Sequence, residues 1–199
     1  MELARVLSIP ESEFLEHAEE GYMFPDTYLF PKQASGSAVA KKMRDTFDSK
    51  VTTPLNDQIA ASDLSLHEIV ILASLIEREA QIDEDRPLVS SVLMNRLDIG
   101  MKLDIDATIQ YALGYQAAEK DWWKESLTFD DLKIASYYNT YTNAGIPPGP
   151  ISNPGLTSIQ AVLDPLSTDY LYYLHDSQGR IHPATTYEGH QANITRYLQ

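Results

Sequence analysis

The chain has 199 residues, with 15 Lys and Arg against 29 Asp and Glu, so its formal net charge at pH 7 is −14. An acidic chain repels phosphate backbones, which excludes a general nucleic-acid binder. The absence of cysteine excludes disulfides, thiolate nucleophiles and cysteine-based zinc sites. Apolar residues make up 43% of the chain, enough to predict a well-formed core. The longest apolar run, Ile69 to Ala73, is much shorter than a membrane helix requires.

The first third of the chain predicts short helices around an aromatic loop. A helical pattern follows Pro10, with Ser12 as its potential cap. The segment Gly21–Pro31 contains four aromatic residues and two prolines, a composition that neither a helix nor a central strand tolerates well. We interpret it as a hydrophobic loop that covers one end of the core, with a ligand-binding surface as the alternative. Amphipathic helices are predicted at Ala38–Lys50 and Pro54–Ala61.

The strongest helical periodicity lies in the segment 65–80. Ser65 and Glu68 have the spacing of a capping box at its start. Apolar positions surround most of this helix, so we expect it to be central in the fold. Two further amphipathic helices are predicted at Arg86–Ile99 and Ala107–Leu113.

The last third of the chain predicts a change from helix to mixed structure. A tyrosine- and proline-rich loop, Tyr137–Pro150, precedes a helix at Thr157–Leu163. Two strands, Tyr170–His175 and Arg180–Ala184, flank a four-residue turn and predict a β-hairpin. A final helix is expected at about Tyr187–Leu198. The elements together predict the α+β class, a mostly helical domain with a small antiparallel sheet that includes the C-terminal hairpin.

Several kinds of chemistry have no support in the sequence. The five histidines do not form the paired spacing of a zinc helix, and no nucleophile elbow, glycine-rich phosphate loop or dinucleotide fingerprint occurs. We therefore expect neither a metal nor a cofactor.

Two carboxylates at the end of the predicted central helix are the most informative feature. Helical spacing places Glu77 on the apolar face and Glu79 at its margin, so both are expected to be partly buried. Burial raises the pKa of a carboxyl group, as a general acid near neutral pH requires. The alternative is that one glutamate pairs with Arg78 or Arg96 and the other is solvated. Periodicity alone favours Glu77 as the more deeply embedded.

The second candidate surface is the loop Tyr137–Pro150 together with Asp104, Asp106, Thr108 and Gln110. Aromatic faces stack on sugars, and amides and carboxylates bind their hydroxyls, so this set predicts a glycan-binding surface. A loop made rigid by its prolines, without a ligand, is the alternative.

Five segments in series resemble the catalytic domain of the MltG-type (YceG-like) endolytic murein transglycosylases. The resemblance runs from about Glu20 to Leu198. The segments are Glu20–Tyr28, Ala73–Ala80, Val92–Leu97 with Gly100–Leu103, Tyr138–Tyr141 and Gly145–Ile151.

The resemblance implies a bacterial lyase that cuts nascent peptidoglycan strands internally, between N-acetylmuramic acid and N-acetylglucosamine, and leaves 1,6-anhydro ends. It places the single catalytic acid and base on Glu79 and leaves Glu77 a supporting or structural role. Tyr138, Asn139 and Tyr141 resemble the motif that lines the glycan groove of lytic transglycosylases, with Gln110 and Asp106 as weaker companions.

The resemblance also implies a setting for the domain. Residues 20–199 would be the catalytic domain, and residues 1–19 a remnant of a LysM-like region or linker. The longer protein would be anchored by one membrane helix, with this part on the extracytoplasmic face of the bacterial membrane. Its partners would be glycan strands, with cell-wall synthases and elongation proteins as candidates.

Two other functions remain open at this point. A non-catalytic glycan-binding or scaffold module of the cell-wall machinery would explain the aromatic loops. A conventional muramidase would need a second carboxylate, for which Glu77 or Asp106 are the candidates.

Overall fold

The structure, a computed structural model, describes residues 9–117 and 120–198, in which helices are the main secondary structure. A single two-stranded antiparallel sheet accompanies the helices in this part of the chain, which confirms the α+β prediction. The helices are α1 (Glu11–Leu15), α2 (Gly36–Phe47), α3 (Asn56–Ala61), α4 (Leu66–Glu79), α5 (Arg86–Asp98), α6 (Asp106–Leu113), α7 (Leu156–Leu163) and α8 (Tyr187–Tyr197), and the strands are β1 (Tyr172–His175) and β2 (Ile181–Ala184).

Helix α4 is the centre of the fold, as its periodicity predicts. Its residues from Ile69 to Ile76 are all buried, and α5, α6 and α7 pack around it. The capping box is present: the Ser65 hydroxyl accepts from the Glu68 N–H, and the Glu68 carboxylate accepts from the Ser65 N–H at 2.8 Å. The chain leaves the helical conformation at Ala80, so Glu79 is the last helical residue.

The loop Gly21–Pro31 is divided between core and surface. Its first part is buried, with Tyr22, Met23 and Phe24 each at most 5% exposed, which confirms the predicted cover over the core. Leu29, further along the loop, is 95% exposed.

The loop that contains Pro150 is joined to α4 by hydrogen bonds. The N–H of Ile151 donates to the Ser74 hydroxyl at 3.0 Å. Gly21 packs beside this loop with a φ of +89°, and a Cβ atom there would lie 2.6 Å from Pro150. The proline-rich segment is therefore fixed against the central helix.

Several helix boundaries differ from the predictions. Ser12 lies inside α1, which begins after Pro10, and residues 1–8 lie outside the described part. Helix α2 begins earlier than expected because the Ser35 hydroxyl caps it by accepting from the Ala38 N–H. It ends at Phe47 and continues as a π-helical turn, Asp48–Thr52.

The domain boundary predicted between residues 19 and 20 stays a prediction. Glu13 accepts from the Gly36 N–H at 3.0 Å, and a Cβ atom on Gly36 would lie 2.6 Å from the backbone nitrogen of Phe14. Helix α1 therefore packs closely on α2.

The predicted hairpin is present. Strands β1 and β2 pair with Tyr173 opposite Pro183, and α8 packs on both strands. Asp176 stabilises the turn, because its carboxylate accepts from the N–H groups of Gln178 and Arg180. None of the helices described is long and apolar enough to cross a membrane.

Candidate functional site

A cleft of about 410 Å³ lies between the end of α4, the start of α6 and the C-terminal hairpin. Glu79 from α4, Asp106 from α6, Tyr141 from the proline-rich loop, and Tyr173 from β1 all line it. These residues are far apart in sequence, so the cleft exists only in the folded chain.

Glu79 is a carboxyl group of this cleft whose pKa is shifted by burial and by several neighbouring groups. The Tyr173 hydroxyl donates to Glu79 Oε2 at 2.7 Å. Burial raises the pKa of Glu79, and the negative charge of Asp106 raises it further. The hydrogen bonds from Tyr173 and from the Ala107 N–H, with the charge of Arg78, lower that pKa, but burial has the larger effect. Such a carboxyl group holds a proton more readily than a solvated one.

Asp106 and Tyr141 form a second pair on the cleft wall. The Tyr141 hydroxyl donates to Asp106 Oδ1 at 2.5 Å. Burial and this contact raise the pKa of Tyr141, so its hydroxyl stays protonated. Asp106 itself is exposed to solvent.

Arg96 joins two walls of the cleft. Its Nε donates to the Leu171 carbonyl at 2.6 Å, before β1, and its Nη1 donates to the Leu103 carbonyl at 2.5 Å, before α6. The predicted alternative of an ion pair between Arg96 and one of the two glutamates is absent from the described contacts. Arg96 instead approaches Asp104, with 3.9 Å between Nη1 and Oδ2.

Glu77 lies outside the residues that line this cleft. Its Oε2 accepts from the Gly155 N–H at 3.0 Å and from the Ser158 hydroxyl at 2.7 Å. These groups belong to the start of α7, where a carboxylate also opposes the positive end of the helix dipole. Arg86 is its cationic neighbour, at 3.7 Å. Glu77 therefore stabilises the contact between α4 and α7.

Asn139 is also absent from the cleft lining, although it was expected to bind glycan. It is 0% exposed. Its amide nitrogen donates to the carbonyls of Leu132 and Ile134, and its amide oxygen accepts from the Tyr141 N–H at 2.9 Å. The amide is therefore fully used in holding the loop that carries Tyr141.

Tyr138 and Gln110 lie away from the cleft lining as well. Tyr138 packs on Tyr111, with 4.8 Å between ring centroids, and Gln110 donates to the Lys124 carbonyl at 2.8 Å. Of the residues named for the two candidate sites, the fold brings Glu79, Asp104, Asp106 and Tyr141 together in the cleft.

Tyr173 and His190 line the cleft without having been predicted from the sequence. Tyr173 was assigned only to a strand, and His190 only to the last helix. Burial lowers the pKa of His190, and the charge of Arg96 lowers it further. Strand alternation places Tyr173 on the opposite face of the strand from its two neighbours. No local pattern in the sequence, however, connects it to a glutamate 94 residues earlier.

Among residues 9–117 and 120–198, no cluster of three or more His, Cys, Asp or Glu side chains has the arrangement of a metal site. In the cleft, Glu79 and Asp106 each accept a hydrogen bond from a tyrosine hydroxyl. Proton transfer by a carboxyl group is the chemistry that this arrangement supports.

Comparison with known proteins agrees with this architecture. A Bacillus subtilis protein named endolytic murein transglycosylase is 38% identical over 185 residues, which cover 92% of this chain and 49% of that protein. A Streptococcus pneumoniae D39 protein of the same name is 31% identical over 180 residues, covering 90% of this chain and 32% of that protein. The chain thus spans a half or less of these relatives.

A solved structure also matches the fold. The crystal structure of a putative yceG-like protein from Listeria monocytogenes superposes with a TM-score of 0.78 at 36% identity, covering 86% of this chain and 54% of that one. The model of the YceG-like family matches residues 2–196. The chain therefore belongs to the YceG-like family.

Proposed function

We propose that this chain is the catalytic part of an endolytic peptidoglycan lytic transglycosylase, with Glu79 as its single general acid and base. The observation that carries the proposal is the position of Glu79 in the cleft, with a raised pKa and a tyrosine hydroxyl on one carboxyl oxygen. The names of the Bacillus and Streptococcus relatives support the same reaction class and substrate.

The reaction needs one carboxyl group that first donates and then accepts a proton. Protonated Glu79 donates to the glycosidic oxygen between N-acetylmuramic acid and N-acetylglucosamine, and the bond from that oxygen to C1 breaks. The Glu79 carboxylate then takes the proton from the C6 hydroxyl of the muramic residue. The O6 atom bonds to C1, which forms the 1,6-anhydro ring and leaves Glu79 protonated again.

Asp106 supplies negative charge on the same wall of the cleft. Positive charge develops at C1 as the glycosidic bond breaks, and a fixed carboxylate stabilises it. The hydrogen bond from Tyr141 holds Asp106 in place, with 2.5 Å between the two oxygens. This assigns Asp106 an electrostatic role and requires no water-activating base.

The proposed substrate sets the location and partners. Nascent glycan strands lie outside the cytoplasmic membrane, so the domain would act on the extracytoplasmic face of the bacterial cell. Glycan strands are its direct partner, and the cell-wall synthases and elongation proteins that make them are the candidate protein partners. The acidic charge of −14 is compatible with a glycan, which is recognised through hydroxyls and sugar faces.

Mass spectrometry of the products tests the proposal. The chain is incubated with uncrosslinked glycan strands, alone and as the Glu79→Gln variant, with Glu77→Gln as the matched control on the same helix. We expect anhydro ends from the wild-type chain and from Glu77→Gln, and none from Glu79→Gln. Ends heavier by one water would indicate a muramidase and contradict the proposal. If the wild-type chain and both variants bind glycan strands but cleave none, the result would indicate a scaffold module.

A further inference from the structure

We propose that Tyr173 is a positioning residue that holds the Glu79 carboxyl group with its reactive oxygen, Oε1, toward the substrate. The inference deepens the proposed function and rests on it. The Tyr173 hydroxyl donates to Oε2 at 2.7 Å, and both side chains line the cleft.

The hydrogen bond determines which oxygen of Glu79 carries the proton. An oxygen that accepts a hydrogen bond from a phenol is less basic than the other oxygen of the same carboxyl group. The Tyr173 hydrogen bond therefore favours Oε1 over Oε2 as the oxygen that carries the acid proton. After that proton is transferred, the same phenol stabilises the carboxylate by a charge-assisted hydrogen bond.

Tyr173 is suited to remain the donor throughout the reaction. Burial and the nearby Glu79 charge raise the pKa of Tyr173 well above its ordinary value. The direction of this bond reverses only if Glu79 is protonated on Oε2, because a neutral phenol oxygen can also accept a hydrogen bond. Tyr173 therefore acts through Glu79 and exchanges no proton itself.

Two residues of α5 fix the strand that carries Tyr173. The Asn95 amide donates to the carbonyls of Thr168 and Tyr170, both at 2.9 Å. Arg96 donates to the next carbonyl, that of Leu171, at 2.6 Å. The chain is thus held at three carbonyls immediately before β1, which gives a structural role to the Asn-Arg pair of the segment Val92–Leu97.

The charged and titratable groups around Glu79 come from every element that packs there. Asp106 begins α6, Arg78 precedes Glu79 on α4, and both affect its pKa. Glu79 in turn affects the pKa of Tyr141 in the proline-rich loop.

Further groups reach the same cleft from other elements. Arg96 of α5, Asp104 before α6, and His190 of α8 line it. Removing the Tyr173 hydroxyl leaves all of these side chains in place, so a change in the titration of Glu79 would report the loss of this one hydrogen bond.

The Tyr173→Phe variant tests the inference by two measurements. Because the lost donor favoured the ionised carboxyl group, the pKa of Glu79 should rise by about one unit. NMR of ¹³C-labelled glutamate measures this titration, and the Glu79→Gln variant assigns the Glu79 signal. In cleavage assays, kcat at neutral pH should fall about tenfold with an unchanged KM, and the alkaline limb of the pH profile should move to higher pH.

The matched control is Tyr22→Phe. It removes the hydroxyl of another tyrosine, which contacts His67 Nδ1 at 3.1 Å, and neither Tyr22 nor His67 lines the cleft. It should lower stability without moving the pH profile or the Glu79 titration. If Tyr173→Phe does not fold, fluorotyrosine at position 173 replaces it: the more acidic phenol is a stronger donor and should lower the pKa of Glu79.

An unchanged Glu79 titration in the Tyr173 variant would overturn the inference. The NMR measurement does not depend on activity. A wild-type chain that forms no anhydro product would therefore contradict the proposed function while the role of Tyr173 is still decided by the titration.

Discussion

Glu77 accepts a hydrogen bond from the Ser158 hydroxyl at 2.7 Å and so belongs to the contact between α4 and α7. Glu79, two residues later on the same helix, accepts one from Tyr173 in the cleft. The two carboxylates therefore have different surroundings, one in the contact between α4 and α7 and one in the cleft, and substitutions should separate the proposed roles.

Glu77→Ala should lower the free energy of unfolding by about 2 kcal/mol, because the N–H of Gly155 and the hydroxyl of Ser158 lose their acceptor. Cleavage of glycan strands should persist in the folded fraction. Urea unfolding and product analysis measure the two effects. Glu77→Gln keeps an acceptor oxygen and is the control, expected to lose less stability. Loss of cleavage in both variants, with folding intact, would contradict the assignment.

Glu79→Gln should stabilise the protein at neutral and alkaline pH but not in acid. Burial raises the pKa of Glu79, so the folded state holds this proton more tightly than the unfolded chain. Below its ordinary pKa of 4.5, the carboxyl group is protonated in both states and does not lower the free energy of unfolding. Above that pH, the free energy of unfolding falls until the pH passes the raised pKa of Glu79 in the folded state. Glutamine resembles the protonated form and removes this dependence.

Urea unfolding of the wild-type chain and of Glu79→Gln, from acid to alkaline pH, measures the difference in their free energies of unfolding. The gap in unfolding free energy should open as pH rises and then become constant above the folded-state pKa of Glu79. A gap that is the same at every pH would show that Glu79 titrates as a solvated carboxyl group.

Asn139→Ala should destabilise the fold by about 3 kcal/mol, because it leaves several buried backbone groups without a partner. The loss of Tyr141 positioning should also lower the cleavage rate of the protein that remains folded. Thermal unfolding and a rate assay measure these effects. Asn143→Ala removes an exposed amide from the same loop, where water replaces it, and should have a smaller effect on both. Equal effects of the two variants would argue against a structural role specific to Asn139.

Gly21→Ala and Gly145→Ala compare two glycines with similar backbone and different surroundings. Their φ angles are +89° and +86°, so each variant should lose about 1 kcal/mol from the left-handed conformation. At Gly21 the new Cβ would also lie 2.6 Å from Pro150 and 2.7 Å from Val70, whereas nothing lies within 4 Å at Gly145. Gly21→Ala should therefore lose about 2 kcal/mol more, from overpacking. Urea unfolding of both variants provides the comparison, and equal losses would contradict the packing argument.

Local sequence signals predicted the main elements of the fold. The capping box at Ser65, the apolar positions of α4 and the turn between β1 and β2 all act over a few residues, and each is present. Boundaries were less accurate where a cap was overlooked, as at Ser35. The burial of Tyr22 to Phe24 followed from composition, but the exposure of Leu29 did not.

The candidate site was predictable only in part. The sequence and its family resemblance identified Glu79, Asp106 and Tyr141, which line the cleft together. The same motif suggested that Asn139 binds substrate, but its amide forms hydrogen bonds with backbone groups of its own loop. The residue type indicates that the Asn139 amide forms hydrogen bonds, but it does not indicate whether the partner is a substrate or the backbone.

By itself, the sequence determined that two carboxylates end a buried helix in an acidic chain without cysteine. Helical periodicity favoured Glu77 as the embedded one, because it measures only the direction of a side chain around its own axis. The tertiary structure decided which partners each carboxylate has, since α7 brings hydrogen-bond donors to Glu77 while β1 brings a phenol to Glu79. The pKa of a carboxyl group depends on the charges, donors and solvent within a few ångströms, and here those come from residues distant in sequence.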